Sequence, residues 1–221
     1  MKLAIKGAVK YLMGLAFVGA TLFLPAWSLK FFNAWLFIGL LFIPIFILGV
    51  VMLIKAPELL EKRLNVRETD KTQKLVVALA ALFFIGGFVV AGLDFRFDWS
   101  DVPLWAVIVA SVVLLISYVL YAEVMRENAY LSRTVEIQKG QKVVDKGLYG
   151  IVRHPMYAVT VWLFLAIPIV LGSWWSLLCF VPYVPVIMVR IINEEKMLTA
   201  ELSGYAEYKK RVKYRLIPFI W

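Results

Sequence analysis

The chain has 221 residues, 62% of them hydrophobic, with a mean hydropathy of +0.83 and a formal charge of +9. Soluble domains are nearer half apolar, so this composition excludes a single water-soluble core. One histidine and one cysteine, Cys179, exclude a His/Cys metal cluster and an internal disulfide, and the 24 basic residues sit between apolar runs rather than on a soluble nucleic-acid face.

The first apolar run, 11–28, follows Lys2 and Lys6. A secretory signal could start this way, but no small-x-small cleavage site follows and a second run begins at once, so 1–28 reads as a retained helix. The runs 31–54, 75–93 and 102–122 read as three more spans, each close to the roughly 20 residues a bilayer requires. The fifth run, 154–189, carries no charge over 36 residues. As one helix it would be about 54 Å long at about 1.5 Å per residue, nearly twice a hydrocarbon core of about 30 Å. Gly172, Ser173, Trp174 and Trp175 stand at its middle. It therefore reads as two short spans turning at Gly-Ser, with the tryptophans at the lipid–water interface and Pro168, Pro182 and Pro185 kinking the helices.

With the N-terminus in the cytoplasm and six spans, 22 of the 24 basic residues fall on the cytoplasmic side, leaving Lys30 and Arg96 outside. The excess of lysine and arginine in cytoplasmic loops thus orients the chain, with both termini cytoplasmic. Beyond the last span, Ile191, Leu198, Leu202, Tyr205 and Val212 recur at spacings near four and seven, the pattern of an amphipathic helix along the membrane, with a break or bend at Gly204. Lys209, Lys210, Arg211, Lys213 and Arg215 suit an anionic inner leaflet. The fold expected is all-α: a polytopic membrane helical bundle of about six transmembrane helices, the last two a short hairpin, with a cytoplasmic amphipathic C-terminal helix. It forms a single membrane domain, in which 1–122 supplies four spans and 123–221 a loop, the hairpin and the tail.

Chemistry-bearing residues gather at the cytoplasmic edge. His154 precedes Pro155, and proline fits the first turn of a helix, so His154 stands at the N-cap of the fifth span. A helix N-terminus beside Arg153 is a seat for a carboxylate or phosphate, or else Arg153 snorkels to lipid while His154 only caps. The hairpin returns the chain to its starting side, where Arg190, Glu194 and Glu195 can face the "VRHP" segment. Arg190 and Glu194 lie four apart on one helix face, a modest ion pair of about 0.2–0.5 kcal/mol if nothing more. Paired carboxylates beside lipid are costly without partners. The connection 136–150 is polar and punctuated by Gly140, Gly147 and Gly150, and carries no dinucleotide or phosphate-loop signature. Tyr149 and Tyr157 flank the histidine and can stack on a flat ring or serve as interfacial tyrosines.

"GLYGIVRHPMY", an uncharged hairpin, "RIINEEKML", "YAEYKKRV" and "IPFI" together resemble the isoprenylcysteine carboxyl methyltransferases and the wider integral-membrane methyltransferases that include phospholipid N-methyltransferases. The resemblance covers residues 128–221; the earlier spans match only in being spans. It implies S-adenosylmethionine as methyl donor, bound at the cytoplasmic ends of the last spans beneath the tail, and a lipophilic methyl acceptor from the bilayer. Carried over by motif, Gln138, Gln141, Val143, Val144, Tyr149, His154, Pro155, Met156, Tyr157 and Glu194 line the cofactor. Arg190 faces the acceptor, and Arg153 is structural or holds an anion. The activity implied is carboxyl O-methylation of an isoprenylcysteine-like substrate. N-methylation of a phospholipid amine would also need a base, for which Glu195 is the spare carboxylate. Sterol reductases, which use NADPH, share an R-H-P-x-Y hairpin and a similar tail but differ at "NEEKML". A scaffold or transporter would place its polar groups near the bilayer midplane instead.

Overall fold

The computed structural model describes residues 2–64, 71–128, 130, 137 and 140–221. Among them the only regular structure is helical. In chain order the helices are α1 Lys2–Ala26, α2 Phe32–Lys55, α3 Pro57–Leu64, α4 Lys71–Phe97, α5 Leu104–Glu127, α6 Pro155–Val170, α7 Trp174–Phe180, α8 Tyr183–Glu201 and α9 Tyr205–Arg211. Five stretches are long and apolar enough to cross a membrane: α1, α2, Val77–Phe97 of α4, α5, and α7 with α8 as Trp174–Glu201. α6 is a shorter apolar helix of 16 residues, roughly 24 Å at about 1.5 Å per residue. The chain is a multi-pass membrane protein with the helical bundle expected of its sequence.

The breaks have local causes. α2 stops at Ala56 because Pro57 disfavours helix in the residue before it, and the same proline opens α3. α5 starts after Pro103 and α6 starts on Pro155, both tolerated where the backbone N–H would have no helical partner. Pro182 separates α7 from α8.

Leu22, Phe37, Leu114, Ile167 and Phe180 form the buried centre, drawn from α1, α2, α5, α6 and α7. On α4, Gly87 lies against the Phe180 ring, with no room for a Cβ. Large apolar side chains such as Leu24, Ile43, Ile54, Leu82 and Val119 are exposed around the outside, the inverse of a soluble surface and the face a lipid solvent requires.

The 36-residue apolar run folds back as its length demands. Gly172, at φ +75°, makes the turn in a region that L side chains rarely adopt. Ser173 caps α7 by accepting from Ser176 N at 2.9 Å. The turn is clamped from outside the hairpin. Asn33 Nδ2 donates to Val170 O at 2.9 Å, Ser176 Oγ donates to Gly87 O at 2.8 Å, and Ser173 Oγ donates to the buried Asp94. Asp94 also accepts from Ser100 N at 2.8 Å and Ser100 Oγ at 2.7 Å.

The tail departs from one membrane-parallel helix. α8 runs on through Ile191 and Leu198 to Glu201, the chain turns at Gly204, and α9 follows. Leu198, Leu202, Tyr205 and Val212 do share an apolar face, but they pack with Tyr208 against Val143 and Ile137 rather than presenting it outward. Residues 212–216 then cross back to the start of α6.

Candidate functional site

The site is assembled where the two ends of the hairpin meet. Gly147–Gly150 forms a short 3-10 turn. Gly147 has φ +57°, and a Cβ there would occupy the position of the Glu127 carboxylate, which accepts from Leu148 N at 3.0 and 3.1 Å. This fixes Tyr149 between the end of α5 and α9. Asn128 Nδ2 donates to the Tyr149 hydroxyl at 3.0 Å, and Tyr208 OH donates to the Tyr149 carbonyl at 2.7 Å. Burial pushes the Tyr149 phenol up to about 12, so it stays a neutral donor at physiological pH. Gly147→Ala is expected to cost about 1–3 kcal/mol, the strain of a left-handed backbone on an L residue, measured as a lowered Tm of the purified protein.

His154 is the N-cap of α6 with Pro155 at N1, as the sequence predicts, though its side chain makes no capping bond. Its ring stacks on Tyr157, with centroids 5.7 Å apart, and Nε2 lies 3.3 Å from Glu195 Oε1. The tail crosses here: Arg153 N donates to Tyr214 O and His154 N to Arg215 O, both at 2.9 Å. The Arg153 side chain donates to Glu195 Oε1 at 2.6 Å, Val212 O at 2.7 Å and Lys213 O at 2.8 Å. The anion seat expected at Arg153-His154 is therefore filled from within the protein. Its anion is Glu195, 2% exposed, whose Oε2 also accepts from Arg215 Nε at 3.0 Å and lies 3.7 Å from Lys209 Nζ.

The neighbouring carboxylate has a different setting. Glu194 Oε2 accepts from the Tyr157 hydroxyl at 2.6 Å, and that hydroxyl accepts from Arg190 Nε at 2.8 Å. One phenol thus links a buried guanidinium to a carboxylate that borders open space. Residues 194 and 195 are a third of a helical turn apart, so the pair that looks alike in sequence faces two directions.

The open space is a cavity between the loop and the two hairpin arms, part of it open to solvent. Gln141, Val143, Val144, Tyr149, Arg153, His154, Met156, Tyr157 and Glu194 line it, a convergence of motif positions from the loop and both hairpin arms. Pro155 is buried at the start of α6 without lining the cavity, and Arg190 and Glu195 lie behind its wall. Gln138 lies outside the described residues. Arg153 and Glu195 engage each other at 2.6 Å, the structural one of the two roles expected of Arg153. The sequence reading missed Asn128, Tyr130, Lys142, Met197, Leu198, Leu202, Tyr205 and Tyr208. Met197 and Leu198 were findable, being three and four residues beyond Glu194 on the same helix face. Leu202 and Tyr205 carry the right signal, an apolar repeat, but their partner is the cavity rather than lipid.

Among the described residues no group of three or more His, Cys, Asp or Glu side chains could hold a metal. Residues 105–204, from the start of α5 to Gly204, match the family model of phospholipid methyltransferase. No curated protein matches the chain.

Proposed function

We propose that this chain is an integral-membrane methyltransferase that takes S-adenosylmethionine into this cavity and methylates a lipophilic acceptor at the cytoplasmic face, a reading supported by the phospholipid methyltransferase match of its segment 105–204. The acceptor that best suits the residues is the carboxylate of an isoprenylcysteine-like molecule. The observation that carries the reading is the fold-back of the hairpin, which puts His154, Tyr157 and Glu194 on one cavity inside the matched segment.

The lining fits that cofactor. Tyr149, His154, Tyr157, Tyr205 and Tyr208 offer aromatic faces to a flat base and to a cation. Glu194 supplies the negative charge that a sulfonium and an ammonium require, and Lys142 a positive charge for a carboxylate. The Tyr205 hydroxyl is buried with no partner among the described residues, a polar atom that a bound molecule would satisfy. When bound, S-adenosylmethionine supplies an electrophilic methyl group on a sulfonium.

The rest is positioning, worth most where two reactants must meet in line. Tyr157 orients Glu194 toward the cavity and Arg190 away from it, so cofactor side and acceptor side are separated by one hydroxyl. Arg190 is 8% exposed, and in such low-dielectric surroundings a guanidinium holds a carboxylate strongly. A carboxylate acceptor needs no proton removed. An amine acceptor does, and Glu195, bound by two guanidinium groups, is poorly placed to take it. A second reading, N-methylation of a phospholipid amine, takes its substrate class from the description of the matched family, phospholipid methyltransferase.

The test has two parts. S-adenosylhomocysteine is expected to raise the Tm of the detergent-purified protein and NADPH to leave it unchanged; the reverse would replace this reading with a reductase. Methyl label transferred from S-adenosylmethionine into a membrane lipid extract is expected to be base-labile, as an ester is. Base-stable label on a phospholipid would select the amine reading.

A further inference from the structure

Arg63 has no part in anything assigned above. It lies one residue before the end of α3, half-buried. Its Nη1 donates to the Tyr121 hydroxyl at 2.9 Å, and its guanidinium lies 5.7 Å from the centre of that ring. Its Nε and Nη2 are buried and have no hydrogen-bond partner among the described residues. These two nitrogens are not an arbitrary pair. They present their N–H bonds side by side along one edge of the guanidinium, the fork that matches the two oxygens of a carboxylate or phosphate. Tyr121 occupies the remaining nitrogen.

The surroundings point the same way. Tyr149, in the cavity wall, lies within electrostatic reach of both Arg63 and Glu194. Tyr183, on the apolar side, lies within reach of both Tyr121 and Arg190. Arg63 thus stands at the border between the candidate cofactor cavity and the neighbourhood of Arg190. A buried polar N–H without a partner is uncommon and costly in a folded chain, and a charged one more so. A bound oxyanion removes that cost.

We propose that the Nε–Nη2 edge of Arg63 is a second receptor, beside Arg190, for the oxyanion of the acceptor: the carboxylate of a prenylated cysteine, or the phosphate of a phospholipid headgroup. The proposal rests on the methyltransferase reading for the word acceptor. The receptor itself is a statement about binding an anionic amphiphile, and is tested as such. Arg63 holds the head of the acceptor while its chain stays in the lipid, so it fixes affinity and register and exchanges no proton.

The test compares wild type, Arg63→Gln and Arg63→Lys as full-length protein in uncharged detergent. The probes are N-acetyl-S-farnesylcysteine, its methyl ester, phosphatidylethanolamine and S-adenosylhomocysteine. Arg63→Gln is expected to weaken binding of the farnesylcysteine acid about ten- to a hundred-fold, the scale of a charge-assisted pair. Arg63→Lys, with charge but no fork, is expected to fall between. Ester and S-adenosylhomocysteine affinities are expected to stay within about two-fold of wild type, which also shows the variants folded. The same loss for phosphatidylethanolamine instead of the acid would keep the receptor and identify phosphate as its ligand. Equal losses for acid and ester, no loss for either anion, or no anion bound by wild type would each overturn the proposal. Failure of S-adenosylhomocysteine to bind wild type would remove the methyltransferase reading separately, with the Arg63 comparison still read from the anionic probes.

Discussion

Glu195→Ala is expected to destabilise the protein by about 3–5 kcal/mol, the cost of stranding buried charge when one partner of an ion pair is removed. The carboxylate is 2% exposed and Arg153 is 6% exposed, so neither charge can turn to water when the other is lost. Glu195 also joins three segments: the α6 N-terminus through Arg153 and His154, α8 through its own backbone, and the tail through Arg215. Since Arg153 and His154 also border the cavity, affinity for S-adenosylhomocysteine should fall with stability. Glu195→Gln keeps the shape and some hydrogen bonds while removing the charge, and should lie between. Thermal unfolding and ligand-induced Tm shift, measured on both variants, separate two roles for this residue. A catalytic base would lose turnover with Tm and cofactor affinity intact. A positioning residue loses Tm and cofactor affinity together, and the second outcome is the one expected.

Much of this architecture was legible because lipid imposes simple rules. Length arithmetic alone forces 154–189 to fold back, and Gly172-Ser173 is the turn it uses. His154 before Pro155 reads as a helix start and is one. The ends of helices were less legible. α4 begins at Lys71 rather than 75, and α8 continues to Glu201 rather than stopping at Val189. Hydropathy registers where lipid begins, whereas lysine, glutamate, methionine and leucine extend a helix well into the polar zone. At the site, motif positions from three segments did converge on one cavity. What sequence could not supply was direction. The adjacent Glu194 and Glu195 are the same residue type with opposite surroundings, and only the crossing of residues 212–216 over α6 decides which one the protein consumes as its own counter-ion. Asp94 and Ser173, 79 positions apart, and Arg63 with Tyr121, 58 apart, had no local signal at all.

The far end of the bundle gives the complementary experiment. Asp94 is 2% exposed and takes hydrogen bonds from Ser100 N, Ser100 Oγ and Ser173 Oγ. It therefore ties the end of α4, the loop before α5 and the hairpin turn into one knot. Bonds to a charged acceptor contribute about 1.5–3 kcal/mol each, though bonds sharing one carboxylate do not add in full. Asp94→Ala is expected to cost roughly 2–4 kcal/mol on that basis, and Asp94→Asn less, since an amide oxygen still accepts from serine. The hairpin arms span the bundle between this knot and the cavity, and no cavity-lining residue touches Asp94. S-adenosylhomocysteine affinity of the folded Asp94→Ala protein should accordingly stay within about two-fold of wild type while Tm drops, the pattern of independent sites. That separates it from Glu195→Ala, where both fall. If Asp94→Ala left Tm unchanged, the turn would be held by the Gly172-Ser173 geometry, Asn33 and the Ser176–Gly87 bond. If it abolished ligand binding without unfolding, the two ends of the hairpin would be mechanically coupled through α6, a 16-residue helix that close packing makes stiff.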